Sequence, residues 1–291
     1  MFNTDINNIY FRNNSVIALY KGGSLIWRKD DSPTIPTEKT NHITGTANGN
    51  IVARLNNNDR IISPENGTKI FDYEVIDLPL TSLYQFMNNK SYLTSVNLTD
   101  LDTSNVTNMG NMFLNCRNLI GIVFGDYFDT SSVVDMSYMF DYCTKLTSID
   151  VSSFDTSNVT LMNSLFYHCD KLIELDLTNF NTDKVTNLTN TFGECWNLKT
   201  IKLGRFNMSA ADGTTFYYCT ALTNVEGTVN GICKTIDLSQ SPLTNASAMV
   251  FINGLDTVSS ATITLKKTTF DTLTDEQIAI ATSKGWTVAA G

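Results

Sequence analysis

Three stretches of this chain are close copies of one another and decide how the rest of it is interpreted. They read FDTSSVVDMSYMFDYC at 128–143, FDTSNVTLMNSLFYHC at 154–169 and FNTDKVTNLTNTFGEC at 180–195. Their final cysteines belong to a series of five with spacings of 27, 26, 26 and 24 residues. A period of this length is typical of stacked structural repeats and lies in the range of leucine-rich repeats.

The second half of each copy carries apolar residues at helical spacing. In residues 109–116, Met109, Met112, Phe113 and Cys116 lie at i, i+3, i+4 and i+7, which is one face of an α-helix. The equivalent residues of the later copies are Met136, Met139, Phe140 and Cys143; Met162, Leu165, Phe166 and Cys169; and Leu188, Thr191, Phe192 and Cys195. The pattern predicts a short helix with one buried face in every repeat.

A strand is predicted after each of these helices. LTSIDV at 146–151, LIELDL at 172–177 and LKTIKL at 198–203 have apolar residues at positions 1, 4 and 6, as in the strand of a leucine-rich repeat. Because parallel strands need a crossover connection, the helical segment supplies it. The predicted fold class is therefore α/β, a leucine-rich-repeat solenoid with one parallel strand and one short helix per coil of about 26 residues, preceded by a small N-terminal β-hairpin module.

The chain divides into five predicted regions. Residues 1–30 alternate short apolar runs with NN and GG turn signals, which indicates a β-hairpin attachment module. Residues 31–45 have the proline- and threonine-rich composition of a linker. A β-rich N-terminal cap is predicted at 46–77, the leucine-rich-repeat solenoid at 78–230, and the last repeat with the C-terminal cap at 231–291.

Specific residues are singled out in the two flanks. Tyr10, Tyr20 and Trp27 are the aromatic residues assigned to the attachment module. In the C-terminal cap, Thr274 and Gln277 have the spacing of a capping box, which predicts the start of the last helix.

The repeated cysteines are interpreted as a ladder of reduced, buried side chains. A disulfide framework is typical of small secreted domains rather than of a long chain like this one. A metal site would need clustered ligands, and the sequence has no C-x-x-C. His168 next to Cys169 is conceivable as a catalytic pair, but adjacent helical residues point in different directions. The members of the ladder are Cys116, Cys143, Cys169, Cys195 and Cys219.

Acidic residues also recur with the repeat. Asp102, Asp129 and Asp155 occupy one position of successive repeats, and Asn181 continues the series. A periodic column of this kind indicates a ladder of side chains that stabilise turns, although Ca²⁺ binding there is left open. No catalytic residue, cofactor or metal ligand is predicted.

The exposed positions of the predicted strands are the candidates for binding. They place one residue per coil on the concave face, which repeat proteins use for partners, although any solvated face shows the same variation. The candidates are Asn97, Asp150, Asp176, Lys202 and Glu226. A second surface is predicted from Tyr138, Tyr142, Tyr167, Trp196 and Tyr217, some of which are expected to pack between coils.

Charge and hydropathy narrow the classes of partner. The formal net charge is −9 and the pI about 4.7, so nucleic acid is an unfavourable partner. No apolar run is long enough for a membrane span. The N-terminus MFNTDINNIYFRNN has no basic start and no apolar core, so no secretory signal peptide is predicted and the chain is expected to be made in the cytoplasm.

The repeat resembles a known family. The pattern F-D-T-S-N-V-T-x-M-x-x-M-F-x-x-C-x-x-L over about 78–230 resembles the BspA-type leucine-rich repeat of bacterial surface proteins. This resemblance implies a right-handed solenoid with adhesive or protein-binding roles and no enzymatic site. The segment IYFRNNSVIALYKGGSLIWR resembles short N-terminal modules of tail and other virion proteins of phages that infect gut bacteria, and the ending LTDEQIAIATSKGWTVAAG is similar to C-termini of repeat proteins found both in such phages and in their hosts.

These resemblances lead to a hypothesis for function. The chain is expected to be a non-enzymatic virion component, attached to the particle by its N-terminal module and contacting a host surface protein, a glycan or a neighbouring subunit through its repeats. A virion protein needs no signal peptide because it leaves the cell by lysis. The alternatives are a bacterial cell-surface adhesin and a glycan hydrolase that depends on an aspartate such as Asp150. A homo-oligomer is left open.

Overall fold

The computed structural model describes residues 80–291 throughout and, within residues 1–79, the backbone of seven strands together with the burial of Ile43. The seven are β1 (Asn8–Arg12), β2 (Ser15–Lys21), β3 (Ser24–Arg28), β4 (Asn41–Asn48), β5 (Ile51–Leu55), β6 (Asn58–Ser63) and β7 (Thr68–Val75). The later strands are β8 (Leu93–Leu98), β9 (Gly121–Phe124), β10 (Glu174–Asp176), β11 (Thr200–Asn207), β12 (Asn224–Asn230), β13 (Ile236–Leu238), β14 (Ala261–Leu265) and β15 (Trp286–Ala290). The helices are α1 (Asn245–Asn253), α2 (Lys267–Phe270) and α3 (Asp275–Thr282).

Neighbouring repeats pair their strands in parallel. Strands β10, β11 and β12 form one parallel sheet, and β13, β14 and β15 form another. Strand β8 pairs in parallel with β9, and its other edge pairs antiparallel with β4, which also pairs with β7. Strands β1, β2 and β3 form a separate antiparallel sheet, and β5 pairs with β6. The protein is therefore α/β with parallel strands and few helices, and that part of the predicted fold class is confirmed.

We number six repeat units by the residue at the cysteine position, namely Lys90, Cys116, Cys143, Cys169, Cys195 and Cys219. The strand predicted at 146–151 in unit 3 is not formed. The interruption follows unit 2, which has one more residue between Leu119 and Phe128 than units 1, 3, 4 and 5 have there. Just after strand β9 the chain runs so close to the previous unit that a Cβ on Gly125 would overlap the carbonyl oxygen of Thr99, and the equivalent Gly204 meets Thr178 in the same way.

The short helix predicted in each of the first units is wrong. The segment is a series of tight turns closed by i to i+3 hydrogen bonds, such as Met112 N to Met109 O and Cys116 N to Phe113 O. Asn111 and Asn115, the third residues of these turns, have φ of 57° and 62°. Left-handed residues four positions apart cannot belong to an α-helix, but two successive four-residue turns also direct their first and fourth residues inward. The helical spacing of the apolar residues is thus reproduced without a helix.

Alternate amide groups of this segment connect the units. Met109, Asn111, Phe113 and Asn115 donate from their N–H groups to carbonyl oxygens of unit 3, at 2.7 to 2.9 Å. A helix would use these donors internally, at i−4. Here each unit instead gives every second N–H to the next unit, so the turn segments form a hydrogen-bonded ladder beside the strands.

The core consists of equivalent residues stacked from unit to unit. Phe166 is fully buried, and its ring lies parallel to those of Phe140 and Phe192, with centroids 5.5 and 6.4 Å away. The same column contains Phe86, Phe113 and Phe216, and the ring of Phe251 in α1 packs on its last member at 5.3 Å. The prediction that the Met, Phe and Cys positions face the core is confirmed by their burial.

The two ends of the repeat region differ in structure. Strand β4 begins at Asn41, so the linker predicted at 31–45 overlaps a strand, and Ile43 belongs to the same buried core as the repeats. In the last repeat a true helix, α1, replaces the turns, and Thr244 caps it by accepting from the N–H of Ser247. The capping box predicted for Thr274 and Gln277 is present at the start of α3.

Candidate functional site: polar strand face and aromatic patch

Three of the five strand-face candidates lie side by side. Asp176, Lys202 and Glu226 are in register on β10, β11 and β12. The Lys202 Nζ lies 2.7 Å from Glu174 Oε1 and 3.5 Å from Asp176 Oδ2, and hydrogen bonding to Glu174 raises the pKa of Lys202. Such exposed ion pairs contribute little to stability. The structure therefore brings charged side chains together here without burying them.

The side chains of the strand-face aspartates close turns. Asp150 Oδ1 accepts from the N–H and the hydroxyl of Ser152 at 3.0 and 2.6 Å. Asp176 Oδ1 accepts in the same way from Thr178, at 3.1 and 2.8 Å. The hydroxyl groups, followed by the backbone N–H groups, lower the pKa of both aspartates. These carboxylates therefore close the turn that follows each strand segment. The side-chain oxygen of Asn97 does the same, because it accepts from Thr99 N at 2.8 Å.

The second acidic column is a turn ladder, as predicted. Oδ1 of Asp102, Asp129, Asp155 and Asn181 each accepts from the N–H two residues later, at 2.8 to 3.0 Å. For Asp155, this bond to the Ser157 N–H is the main cause of a lowered pKa.

A column of buried threonines joins these turns between units. The hydroxyl group of Thr130 donates to Asp155 O at 2.9 Å and accepts from Asp155 N at 2.8 Å. Thr156 and Thr182 make the same pair of bonds to Asn181 and Asn207. Backbone groups that would otherwise be buried without partners are therefore satisfied by the preceding unit.

The structure places all five cysteines of the ladder in the core as free thiols. Each thiol donates to a backbone carbonyl of the preceding unit, for example Cys169 Sγ to Phe140 O at 3.2 Å and Cys195 Sγ to Phe166 O at 3.0 Å. Burial raises the pKa of Cys116 and Cys219 to about 12. Cys169 Sγ donates to Phe140 O, whereas the two ring nitrogens of His168 lie next to Asp170 and Glu194, so the two side chains are not paired as a nucleophile and base.

Aromatic side chains gather on the turn segments of units 3 to 6. We define the aromatic patch as Tyr142, Tyr167, His168, Trp196, Tyr217 and Tyr218. The ring of His168 stacks on Tyr142 at 4.3 Å, and Trp196 meets His168 edge-on at 5.9 Å. Tyr217 and Tyr218 are perpendicular with centroids 4.4 Å apart. Tyr138, the fifth aromatic predicted for this surface, is also exposed.

Carboxylates hold the centre of the patch. Glu194 accepts from the Tyr167 hydroxyl at 2.9 Å, and its other oxygen lies 3.1 Å from His168 Nε2. His168 Nδ1 lies 3.3 Å from Asp170. The Tyr167 ring fits here because Gly193 has no side chain: a Cβ on Gly193 would lie 3.0 Å from the ring. Desolvation, followed by the hydrogen bond to Glu194, raises the pKa of Tyr167.

The network around His168 was missed by the sequence reasoning, although a signal exists. Tyr142, His168, Glu194 and Tyr218 each precede the repeated cysteine by one residue. All four have φ between 54° and 56°, which is unusual for residues other than glycine, asparagine and aspartate. These four residues occupy one position of successive repeats. Stacking the repeats in register, rather than judging His168 only as a partner of Cys169, would have placed their side chains on neighbouring turns.

One carboxyl beneath the patch has no hydrogen-bond partner for one of its oxygens. Asp141 is 6% exposed, and its Oδ1 is buried and unpaired. Burial raises the pKa of Asp141 from 3.8 to about 7, against a smaller lowering by the N–H of Tyr142. The equivalent residue of unit 2 is Leu114, so an apolar side chain is compatible with this position.

The attachment residues can be placed only on their strands. Tyr10 lies in β1, Tyr20 in β2 and Trp27 in β3, while their side chains fall outside the described part of the structure. Among the residues that the structure does describe, no group of three or more His, Cys, Asp or Glu side chains has an arrangement that could hold a metal ion. Within the same residues, no helix combines the length and the apolar character of a membrane span.

Comparison with known proteins gives one match. A family model described as "Mycoplasma protein of unknown function, DUF285" matches residues 81–220, slightly less than half of the chain. The chain is similar to this family across its repeats. The matched stretch contains most of the core column and the whole aromatic patch. No curated protein and no solved structure matches the chain significantly.

Proposed function

We propose that this chain is a non-enzymatic structural and adhesive protein whose repeat units stack as a leucine-rich-repeat solenoid of the BspA type. The strands and turn segments support this, because both bond to their equivalents about 26 residues away. The periodic carboxylates are occupied in closing turns, Asp150 included, which favours a scaffold over a glycan hydrolase. The scaffold presents side chains that differ between units.

The observation that carries the adhesive role is the exposed part of the aromatic patch. Trp196, Tyr217 and Tyr218 are 46%, 42% and 41% exposed on successive units with a rigid core beneath them. Exposed tryptophan and tyrosine are enriched among the residues that dominate protein interfaces. A scaffold that holds such rings at its surface is suited to binding a protein partner.

We place this protein on a phage virion, with its N-terminal module as the attachment point. The antiparallel sheet of β1, β2 and β3 supports a separate small module, because it pairs with none of the other strands that the structure describes. Deleting residues 1–30 is expected to leave the repeats folded, with an unchanged melting transition, but to remove the protein from purified particles. Unchanged incorporation of the deleted protein into particles would show that the module is not the attachment point.

The alternative is a bacterial cell-surface adhesin. The match to a family described as mycoplasma protein favours it, because that description refers to a cellular source. Fractionating the native culture separates the two proposals. Protein that sediments with tail-bearing particles after lysis supports the virion, whereas protein that stays with the cell envelope supports the adhesin. Recovery only in the cytosolic fraction would contradict both.

A further inference from the structure

The aromatic patch already holds one cation of this chain. The guanidinium carbon of Arg117 lies 5.4 Å from the centroid of the Tyr142 ring, within the range of a cation–π contact. Its Nε is fixed by Asn115, whose side-chain oxygen accepts from it at 2.5 Å. At the unit 3 end of the patch, the ring of Tyr142 is therefore already covered by a positive charge of the protein itself, Arg117 of unit 2.

The other end of the patch has exposed aromatic rings that no arginine or lysine of residues 80–291 covers. They are the rings of Trp196, Tyr217 and Tyr218. The backbone brings them together, because Glu194 N donates to Tyr217 O at 2.6 Å and Trp196 N donates to Glu194 O at 3.0 Å. These ring faces are available to a ligand.

The charge at this end favours a positive ligand. Glu194 belongs to the same turn segment as Trp196, its N–H donates to the carbonyl of Tyr217, and its carboxylate oxygens lie within hydrogen-bond distance of Tyr167 and His168. Desolvation, then a hydrogen bond with Tyr218, then the negative charges of Glu194 and Asp237 raise the pKa of Tyr217. The whole chain carries a formal charge of −9. An aromatic face beside carboxylates attracts an ammonium or guanidinium group through both its quadrupole and the nearby charge.

We propose that Trp196, Tyr217 and Tyr218, with Glu194 beside them, form a site for a lysine or arginine side chain from a basic segment of a protein partner. The inference rests on the proposed adhesive function and names the chemistry of its ligand. An incoming side chain would extend the arrangement that Arg117 and Tyr142 already form within the chain.

Binding of model peptides to the full chain tests the site. The probe is a fluorescently labelled peptide of alternating lysine and glycine, and its comparison has glutamine at every lysine position. Fluorescence anisotropy measures the affinity, and the part of the tryptophan quenching that Trp196→Ala removes gives a second signal for this one of the three tryptophans. We expect the lysine peptide to bind and quench, and the glutamine peptide to do neither.

Three variants make the result specific. Trp196→Ala and the double change Tyr217→Ala with Tyr218→Ala are each expected to weaken binding about 3- to 30-fold, the range of a cation–π contact. Tyr92→Ala is the matched control, because Tyr92 is 52% exposed but belongs to unit 1. Thermal melting establishes that each variant is folded.

Two results would overturn the inference. One is the absence of binding by the lysine peptide to the unaltered protein. The other is equal affinity for the unaltered protein and for folded Trp196→Ala, since the peptide would then recognise only the overall negative charge. Failure of the adhesive function is distinguishable from both results, because it would appear as recovery of the protein only in the cytosolic fraction of the native culture.

Discussion

Replacing Asp141 with leucine is expected to stabilise the protein, and to do so much more at pH 8 than at pH 4. The carboxyl of Asp141 is buried with an unpaired Oδ1, and burial raises its pKa from 3.8 to about 7. Leu114 occupies the same position in unit 2, so the local backbone accepts leucine there. The change removes a group that the fold can hold comfortably only when it is protonated.

The sign of the pH effect follows from the raised pKa. Between about pH 4 and pH 7, folded Asp141 keeps a proton that the unfolded chain releases, so the free energy of unfolding falls as the pH rises through this window. Below pH 4 the carboxyl is neutral in both states and the penalty disappears. Above pH 7 the whole penalty is present.

The magnitude comes from the same shift. A change from 3.8 to about 7 corresponds to an upper limit of about 4 kcal/mol at 1.36 kcal/mol per unit. Asp141 lies just beneath the surface, where water screens the charge, so we expect about 2 kcal/mol at pH 8. Urea unfolding followed by tryptophan fluorescence at pH 4, 6 and 8 measures the effect through the transition midpoint and slope.

A matched control has the opposite sign. The pKa of Asp155 is lowered by its turn bond to Ser157, so its contribution is present above its unfolded pKa and is lost as the pH falls through its folded pKa. Asp155→Asn is expected to reduce stability slightly at pH 8 and less at low pH, since Asn181 already has this role in the next unit. If Asp141→Leu retained the pH dependence of the unaltered protein between pH 4 and pH 7, the assignment to Asp141 would be refuted.

Three further changes test the core and the links between units. Phe166→Ala is expected to cost about 3–5 kcal/mol in urea unfolding because a fully buried ring between two others is lost, and a cost below about 1 kcal/mol would contradict the core assignment. Thr130→Val is expected to cost about 1–3 kcal/mol in the same assay, since the N–H and carbonyl of Asp155 both lose their partner, and an unchanged midpoint would show that water replaces the hydroxyl. With a thiol-specific chromogenic reagent, only exposed Cys233 of the six cysteines is expected to react in the folded protein and all six after unfolding, whereas rapid reaction of a second thiol would contradict the buried ladder.

The sequence was sufficient to predict which residues form the core. The four residues predicted to face inward in unit 2 are all fully buried, namely Met109, Met112, Phe113 and Cys116. They could be recognised because a position that faces the core carries an apolar residue in nearly every repeat. The sequence was not sufficient for the backbone that connects them, since a helix and two successive turns place the same four residues inward. Left-handed conformations decide between the two, and asparagine at 111 and 115 was the only local hint.

The candidate site was predictable in part. Asp150 and Asp176 were correctly placed at exposed positions, but their hydrogen bonds to Ser152 and Thr178 depend on the chain turning immediately afterwards. The contact between His168 and Glu194 joins residues 26 positions apart, so it emerges only when units are stacked in register. Asp141 offered no signal, because its column also contains Asn88, Tyr167, Gly193 and Tyr217, and an acidic residue among these is expected at the surface.

The buried thiols make the covalent state of the repeat core independent of the redox potential around the protein. Each hydrogen of the ladder is donated to a carbonyl inside the core, as from Cys143 to Phe113 and from Cys219 to Phe192. Folding therefore requires no oxidant, and an oxidising exterior finds only Cys233 within reach. The five buried cysteines therefore keep the same covalent structure in a reducing and in an oxidising solution.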